Sequence, residues 1–157
     1  KREREQMNTW DQYLTAEMRE RKCMDMAVDR HPHLSNLIHT PLGSYSWNDG
    51  WLTSATTLHI TGETKIRNKY TTDLIYLNTS KHRALLSMAE VDGTLPVLFD
   101  FCTKDRAMLV VDLSAPGVVF SSITIYHRIQ QRRITSAIAI YPRTSIVDVY
   151  PLSLWTH

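Results

Sequence analysis

The sequence predicts a single α/β or α+β domain with a central mixed β-sheet flanked by helices. Two observations carry this prediction: the segments run in the order helix, strands, helix, strands, and the composition suits one packed core. The chain has 157 residues, of which 43% are hydrophobic and 22% charged, as is typical of a folded domain and not of a disordered one. We therefore treat residues 1–157 as one domain.

The first segment, residues 3–30, contains no Gly or Pro and is rich in Glu, Arg, Met and Ala, which predicts one long N-terminal helix. The end of this helix is predicted at His31-Pro32-His33, and a loop through Gly43 is expected to follow. The apolar residues of the segment form one stripe at helical spacing, namely Met7, Trp10, Leu14, Met18, Met24 and Val28.

The rest of the chain alternates extended segments with one more helix. β-Branched residues dominate residues 51–67, which predicts two strands that turn near residues 53–57. The second helix is predicted from Asn78 to Val91, with Asn78 or Thr79 as its N-cap and Asp92-Gly93 as its stop. Further strands are predicted at 95–101, 107–113, 117–127 and 134–142, with a tight turn after the first and the basic stretch 127–133 before the last.

The candidate site begins with Glu63 and Lys65, which lie two residues apart on a predicted strand and therefore share one face. That face carries His59, Thr61, Glu63, Lys65 and Arg67. An exposed Glu–Lys pair on a half-solvated sheet is one interpretation. The other involves Asp49, fourteen residues before Glu63. Metal-assisted phosphodiester hydrolysis requires two carboxylates that bind a hard divalent cation. It also requires a cation, such as an ammonium group, near the negative charge that develops on the phosphate.

This pattern resembles the PD-(D/E)XK nucleases, the restriction-endonuclease-like superfamily that includes Holliday-junction resolvases. Asp49 matches the first metal-binding aspartate of the motif, Glu63 the second acidic ligand and Lys65 the motif lysine, while Asn48 replaces the proline. The resemblance covers the element order of residues 3–113, and residues 114–157 have no matching counterpart. It implies a hydrolase, a Mg²⁺- or Mn²⁺-dependent deoxyribonuclease (endonuclease), with the backbone carbonyl of Thr64 completing the metal ligands.

The same resemblance implies a glutamate from the first helix at the metal site. Glu17 lies inside the apolar stripe of the predicted helix, where an unpaired carboxylate is costly. We therefore assign it as a catalytic residue and metal ligand, with Glu20 in its place if the helix is rotated. A Glu17–Arg21 helix pair at the edge of the stripe is the alternative.

Several basic residues are predicted to bind the nucleic-acid backbone. Lys81 lies in the first turn of the second helix, whose free N–H groups suit a phosphate. The remaining candidates are Arg67, on the polar face of the Glu63 strand, and Arg128, Arg132 and Arg133. Alternatively, Lys81 is an ordinary surface lysine and the three arginines lie in a solvated loop.

His31, His33 and His39 cluster in the sequence but have no recognisable ligand spacing. Trp47 and Trp51 are expected to serve packing or base stacking.

Charge and cysteine usage limit the partners. The net charge is +2 with a pI near 8.6, so any nucleic acid must bind a local basic patch. DNA is expected in preference to RNA. Cys23 and Cys102 form neither a C-x-x-C nor a zinc pattern. We expect no membrane span and no signal peptide, since apolar runs are short and the first six residues are charged or polar. A reducing, cytoplasmic location follows as the expectation.

Three further expectations concern function and assembly. A catalytically inactive nucleic-acid-binding or assembly module, or a structural domain, would use the same residues without cleavage. A homodimer is expected because two sites facing each other across a two-fold axis can cut both strands of a duplex. Apolar extended segments supply the candidate interface unless they complete the sheet of their own chain, namely residues 117–120, 134–141 and 147–155.

Overall fold

The computed structural model describes residues 9–31, 33–41, 46, 48–54 and 59–151. These residues form α1 (Thr9–Arg30), β1 (Leu34–His39), β2 (Gly50–Ser54), β3 (His59–Arg67), β4 (Tyr76–Asn78), α2 (Thr79–Asp92), β5 (Leu95–Cys102), β6 (Ala107–Asp112), β7 (Val119–His127), β8 (Arg132–Ile140), a 3₁₀ turn (Arg143–Ser145) and β9 (Ile146–Pro151). Among them, no helix is both long and apolar enough to cross a membrane.

A mixed sheet forms the centre of the domain. Within the described part of the chain its strand order is β1-β2-β3-β5-β6-β9. β3 and β5 are parallel and the other neighbours antiparallel. A parallel pair needs a crossover connection, and α2 lies in the segment that supplies it. The predicted α+β class with a central mixed sheet is therefore confirmed.

Each face of this sheet has its own apolar core. β5 shows the division, since Val97, Phe99 and Phe101 pack with residues of α1 on one face. Leu98 and Cys102 pack on the other face with Leu85 of α2. Burial on both faces explains why the β5 sequence is apolar almost throughout.

A second sheet consists of β4, β8 and β7 in that order, as far as the described strands show. β7 and β8 pair along their whole length as an antiparallel hairpin, from Val119 with Ile140 to His127 with Arg132. Only the base of the hairpin is buried, where Leu77 and Ala139 join the core on the α2 side. Most residues of β7 are exposed.

The predicted boundaries hold for several elements. α1 ends at Arg30 as predicted, and its predicted start at residue 3 lies outside the described residues. α2 follows Asn78, which makes no side-chain cap bond, and ends at Gly93, whose φ of +66° is the left-handed conformation that suits glycine. The turn between β2 and β3 was predicted near residues 53–57; Thr53 and Ser54 belong instead to β2, and residues 55–57 lie outside the described part.

Other elements differ from the predictions. The loop expected after α1 contains β1, a strand hidden by a bulge between Ser35 and Ile38 and by Asn36 with φ +56°. β4 was missed because a strand of only three residues is too short to show a recognisable sequence pattern. Arg132 and Arg133 belong to β8 and not to a loop, so the turn of the hairpin is residues 128–131.

The apolar tail is used within the chain. Residues 146–151 form β9, which pairs with β6 and completes the main sheet. This is the arrangement that removes the need for a partner strand at β6. Residues 152–157, the remainder of the predicted interface segment, lie outside the described residues.

Candidate functional site

Asp49 is fixed immediately before β2 by three backbone contacts. Its own N–H donates to the carbonyl of Gly62 at 2.8 Å, and its carbonyl accepts from the N–H of Thr40 at 3.1 Å. Its carboxylate oxygen Oδ2 accepts from the N–H of Thr64 at 2.7 Å. Asp49 is thereby placed against the centre of β3, next to the predicted motif residues.

Asn48, at the position of the family's proline, anchors the same turn. It is buried, and its amide donates to the carbonyl of Gly50 at 3.1 Å while its Oδ1 accepts from the Ser46 hydroxyl at 2.5 Å. A proline could make neither bond. At Gly50 a Cβ atom would lie 2.7 Å from the carbonyl oxygen of Ile38, so this position requires glycine where β1 and β2 meet.

Glu63 is buried with only 1% exposure and is held between two lysines. Its Oε2 lies 3.5 Å from the Nζ of Lys65 and 3.3 Å from the Nζ of Lys81. The alternative of a solvent-facing Glu63–Lys65 pair is therefore wrong. Lys81, from the first turn of α2, is directed at the carboxylate and is not a plain surface lysine.

Glu20 of α1 belongs to the same electrostatic cluster. Burial raises the pKa of Glu20 to about 7, with Lys65 opposing and Glu63 reinforcing the change. Glu17 is half-buried one turn earlier and lines the cavity beside the site. Glu20 thus interacts with both Glu63 and Asp49.

The carboxylates compete for protons. Burial, followed by the charges of Glu63 and Glu20, raises the pKa of Asp49 to about 9, although the N–H of Thr64 opposes this. Burial lowers the pKa of Lys65, but Glu63 and Glu20 outweigh that effect and the net change is upward. The cluster holds more negative charge than its lysines balance, so it favours a bound proton or an added cation.

The side chains of the site resemble a magnesium site in the type of their donor atoms. No group of three or more His, Cys, Asp or Glu side chains within the described residues is arranged to hold a metal ion. Mg²⁺, however, is commonly bound through one or two carboxylates with water in the remaining positions. Asp49 and Glu63, with the carbonyl of Thr64, are hard oxygen donors of this kind, and the raised pKa of Asp49 fits a site that lacks a neighbouring cation.

A cavity of about 330 Å³ opens beside these groups. Its walls come from α1, the turn before β2, β3 and the tip of the β7–β8 hairpin. Lys65, whose side chain is 34% exposed, faces this space. Ile129 of the hairpin tip also lines it, a contact that no local sequence pattern indicates. The lining residues are Ala16, Glu17, Glu20, Thr40, Ser46, Asn48, Asp49, Lys65 and Ile129.

Arg21 closes the α1 side of the site. Its guanidinium donates to the carbonyl of Thr40, the residue whose hydroxyl donates to the carbonyl of Asn48 at 3.2 Å. Arg21 therefore ties α1 to the turn that carries Asp49. This contact was not predicted, because it joins residues nineteen positions apart.

The predicted histidine cluster is divided between two carboxylates. His31 lies 2.9 Å from the Oδ2 of Asp148 on β9. His39 lies 2.6 Å from the Oδ1 of Asp25 on α1. Since each histidine has its own acidic partner, the two do not converge on one site.

The predicted backbone-binding arginines fall into two groups. The guanidinium of Arg67 lies 4.1 Å from the centroid of the Tyr76 ring and 3.9 Å from the carboxylate of Asp100. The Asp100 carboxylate is buried and lies 2.6 Å from the Nζ of Lys69. Arg67 thus belongs to an internal charge cluster that sequence reasoning missed. Arg128, Arg132 and Arg133 are exposed on the hairpin. Trp51 is half-buried in β2, and Trp47 lies outside the described residues.

Comparison with known proteins supports the fold. No protein-family model matches the chain, and no curated protein matches it. Among solved structures, the chain is similar to Hjc, a Holliday junction resolvase from the archaeal hyperthermophile Archaeoglobus fulgidus. The TM-score is 0.53 at 9% sequence identity, over 87% of this chain and 92% of the resolvase. The chain therefore has a restriction-endonuclease-like fold similar to that of an archaeal resolvase.

Proposed function

We propose that this protein is a metal-dependent nuclease of the PD-(D/E)XK type that hydrolyses phosphodiester bonds of DNA. The observation that carries the proposal is that buried Glu63 lies beside Asp49 and Lys65, which both line one cavity. The similarity of the fold to a Holliday junction resolvase supports a nuclease. The carboxylates of the cluster outnumber the lysines beside them, and a divalent cation would supply the positive charge that balances them.

Each residue has a role that follows from its surroundings. Asp49 and Glu63, with the carbonyl of Thr64, would hold Mg²⁺ or Mn²⁺, which when bound supplies an acidified water and neutralises charge on the phosphate. The N–H of Thr64 orients the Asp49 carboxylate at 2.7 Å. Lys65 is partly exposed to the cavity, so its ammonium can stabilise the attacking water or the phosphate oxygens.

Lys81 and Glu20 tune this arrangement. Lys81 lies 3.3 Å from Glu63 and lowers the cost of burying that carboxylate. Glu20, with a pKa of about 7, can exist as acid or carboxylate near neutral pH. It is therefore suited to accept a hydrogen bond from the attacking water or to donate one. Glu17 lies at the wall of the same cavity.

A divalent-cation titration tests the function directly. We expect cleavage of plasmid, linear or branched DNA to be absent in EDTA and to appear with millimolar Mg²⁺ or Mn²⁺. Ca²⁺, a larger ion with a different preferred geometry, should support binding but little cleavage. DNA binding without cleavage under every cation would instead indicate an inactive binding module and would contradict the proposal.

We further propose that the protein acts as a homodimer, because two metal sites per assembly can serve both strands of a duplex or junction. β9 pairs with β6 of its own chain but has exposed Val147 and Val149. These exposed apolar residues form the proposed contact surface. Light scattering at micromolar concentration should give twice the mass of the 18.2 kDa chain. A mass near 18 kDa at all concentrations would refute the dimer.

A further inference from the structure

The tip of the β7–β8 hairpin forms one wall of the cavity beside the proposed metal site. Ile129 lines the cavity together with Asp49 and Lys65, across from Glu17 and Glu20 of α1. The hairpin belongs to residues 114–157, the part of the chain without a counterpart in the sequence motif. A substrate that enters the cavity to reach Lys65 therefore lies close to this tip.

The size of the cavity limits what can pass. At about 330 Å³ it is at the lower end of pockets that hold small molecules. A B-form duplex, whose major groove alone is about 12 Å wide, is too large to enter it. A single nucleotide unit of one strand is much smaller and more flexible. The cavity itself therefore accommodates about one nucleotide unit of a strand.

One face of the hairpin carries exposed aromatic residues. Phe120 and Tyr126 lie six residues apart on β7 and so project to the same side. They are 55% and 60% exposed. Arg133 is the register partner of Tyr126 on β8 and shares its face. Two exposed rings and a guanidinium thus lie along one surface.

The base of this surface contacts α2. At its base the Phe120 ring lies 5.8 Å from the guanidinium of Arg83 and 5.7 Å from the ring of His82. Both residues belong to the first turns of α2 and follow directly after Lys81, which contacts Glu63. Basic and aromatic groups therefore meet where the base of the hairpin contacts the first turns of α2.

We propose that the hairpin binds the substrate as single-stranded DNA, with Phe120 and Tyr126 stacking on bases and Arg133 contacting the backbone. Aromatic platforms beside basic side chains bind single strands in this way without needing a particular sequence. Ile129 then admits one strand to the catalytic groups. The inference rests on the proposed nuclease function for the cleavage step, whereas binding of the single strand can be measured without cleavage.

Binding of the full-length protein in EDTA tests the inference without any cleavage. Fluorescence anisotropy should show a 20-nucleotide oligothymidine bound roughly tenfold or more tightly than a duplex of equal length. Tyr126→Ala and Phe120→Ala should each weaken single-strand binding by about tenfold, because a stacking partner is lost. Tyr126→Phe keeps the ring and should retain affinity. Ile125→Ala, on the opposite face of β7, is the matched control and should change little.

The outcomes separate the two proposals. Equal affinity for both DNA forms, or equal losses from Ile125→Ala and Tyr126→Ala, would overturn the single-strand inference. Cleavage of the duplex as fast as the single strand with Mg²⁺ would also overturn it, while leaving the nuclease function intact. Tyr126-dependent binding of the single strand with no cleavage under any cation would support the hairpin surface and refute the nuclease.

Discussion

Replacing Asp49 by Asn or Glu63 by Gln should reduce metal-dependent cleavage by roughly 10³-fold or more, because each change removes a charged ligand from the proposed metal site. Asp49→Asn keeps an oxygen that can accept the N–H of Thr64. Glu63→Gln keeps the shape of a side chain that is 1% exposed. The fold should therefore survive both changes, and loss of activity can be assigned to chemistry.

The measurement is the initial rate of DNA cleavage at saturating Mg²⁺, with circular dichroism as the check on folding. Glu90→Gln, an exposed carboxylate on α2, is the matched control and should retain the wild-type rate. If both site variants stay within tenfold of the wild type, Asp49 and Glu63 are not the metal ligands of the active enzyme.

The stability of the metal-free protein should fall as pH rises from 7 to 9. Burial, Glu63 and Glu20 raise the pKa of Asp49 from 3.8 to about 9 in the folded state. Over this range the unfolded chain has released the proton that the folded chain retains, so deprotonation favours unfolding. The slope for one proton is at most about 1.4 kcal/mol per pH unit. A loss of 1 kcal/mol lowers Tm by roughly 2–4 °C in a domain of this size.

Other shifted groups act mainly outside this range. The pKa of Glu20, about 7, lets it contribute only at the lower end. Burial and Arg83 lower the pKa of His82, so its effect has the opposite sign and lies below pH 6.5. Thermal denaturation in EDTA should therefore show the slope, Asp49→Asn should flatten it, and Mg²⁺ should raise Tm more at pH 9 than at pH 7. An unchanged slope in Asp49→Asn would exclude this origin.

The part of the site that lies on one strand was predictable from sequence. A β-strand alternates its faces, so Glu63 and Lys65 had to share one, whatever the rest of the fold. Asp49 could be assigned because the motif links it to that strand. The burial of Glu63 was not predictable, since it depends on Lys81 arriving from α2.

The helix contribution was predictable only to within one turn. Glu17 and Glu20 lie three residues apart on neighbouring parts of one face, so a small rotation exchanges them. The contact of Arg21 with Thr40 fixes that rotation, and it joins distant parts of the chain. Glu20 interacts electrostatically with Glu63 and Asp49 in this arrangement.

Long-range pairings account for what sequence patterns missed. β1 is interrupted by a bulge, and β4 is recognisable only through its pairing with β8. The approach of Ile129 to Lys65 requires the whole hairpin to be in place. Propensity and periodicity describe neighbours in sequence and do not report such contacts.

The most direct test of the central claim is the position of a bound metal. Crystals soaked in Mn²⁺ should show an anomalous peak bonded to one carboxylate oxygen each of Asp49 and Glu63, with the carbonyl of Thr64 as a further ligand. The same peak should vanish in Glu63→Gln crystals. No peak at these residues, at a Mn²⁺ concentration that supports DNA cleavage, would contradict the account.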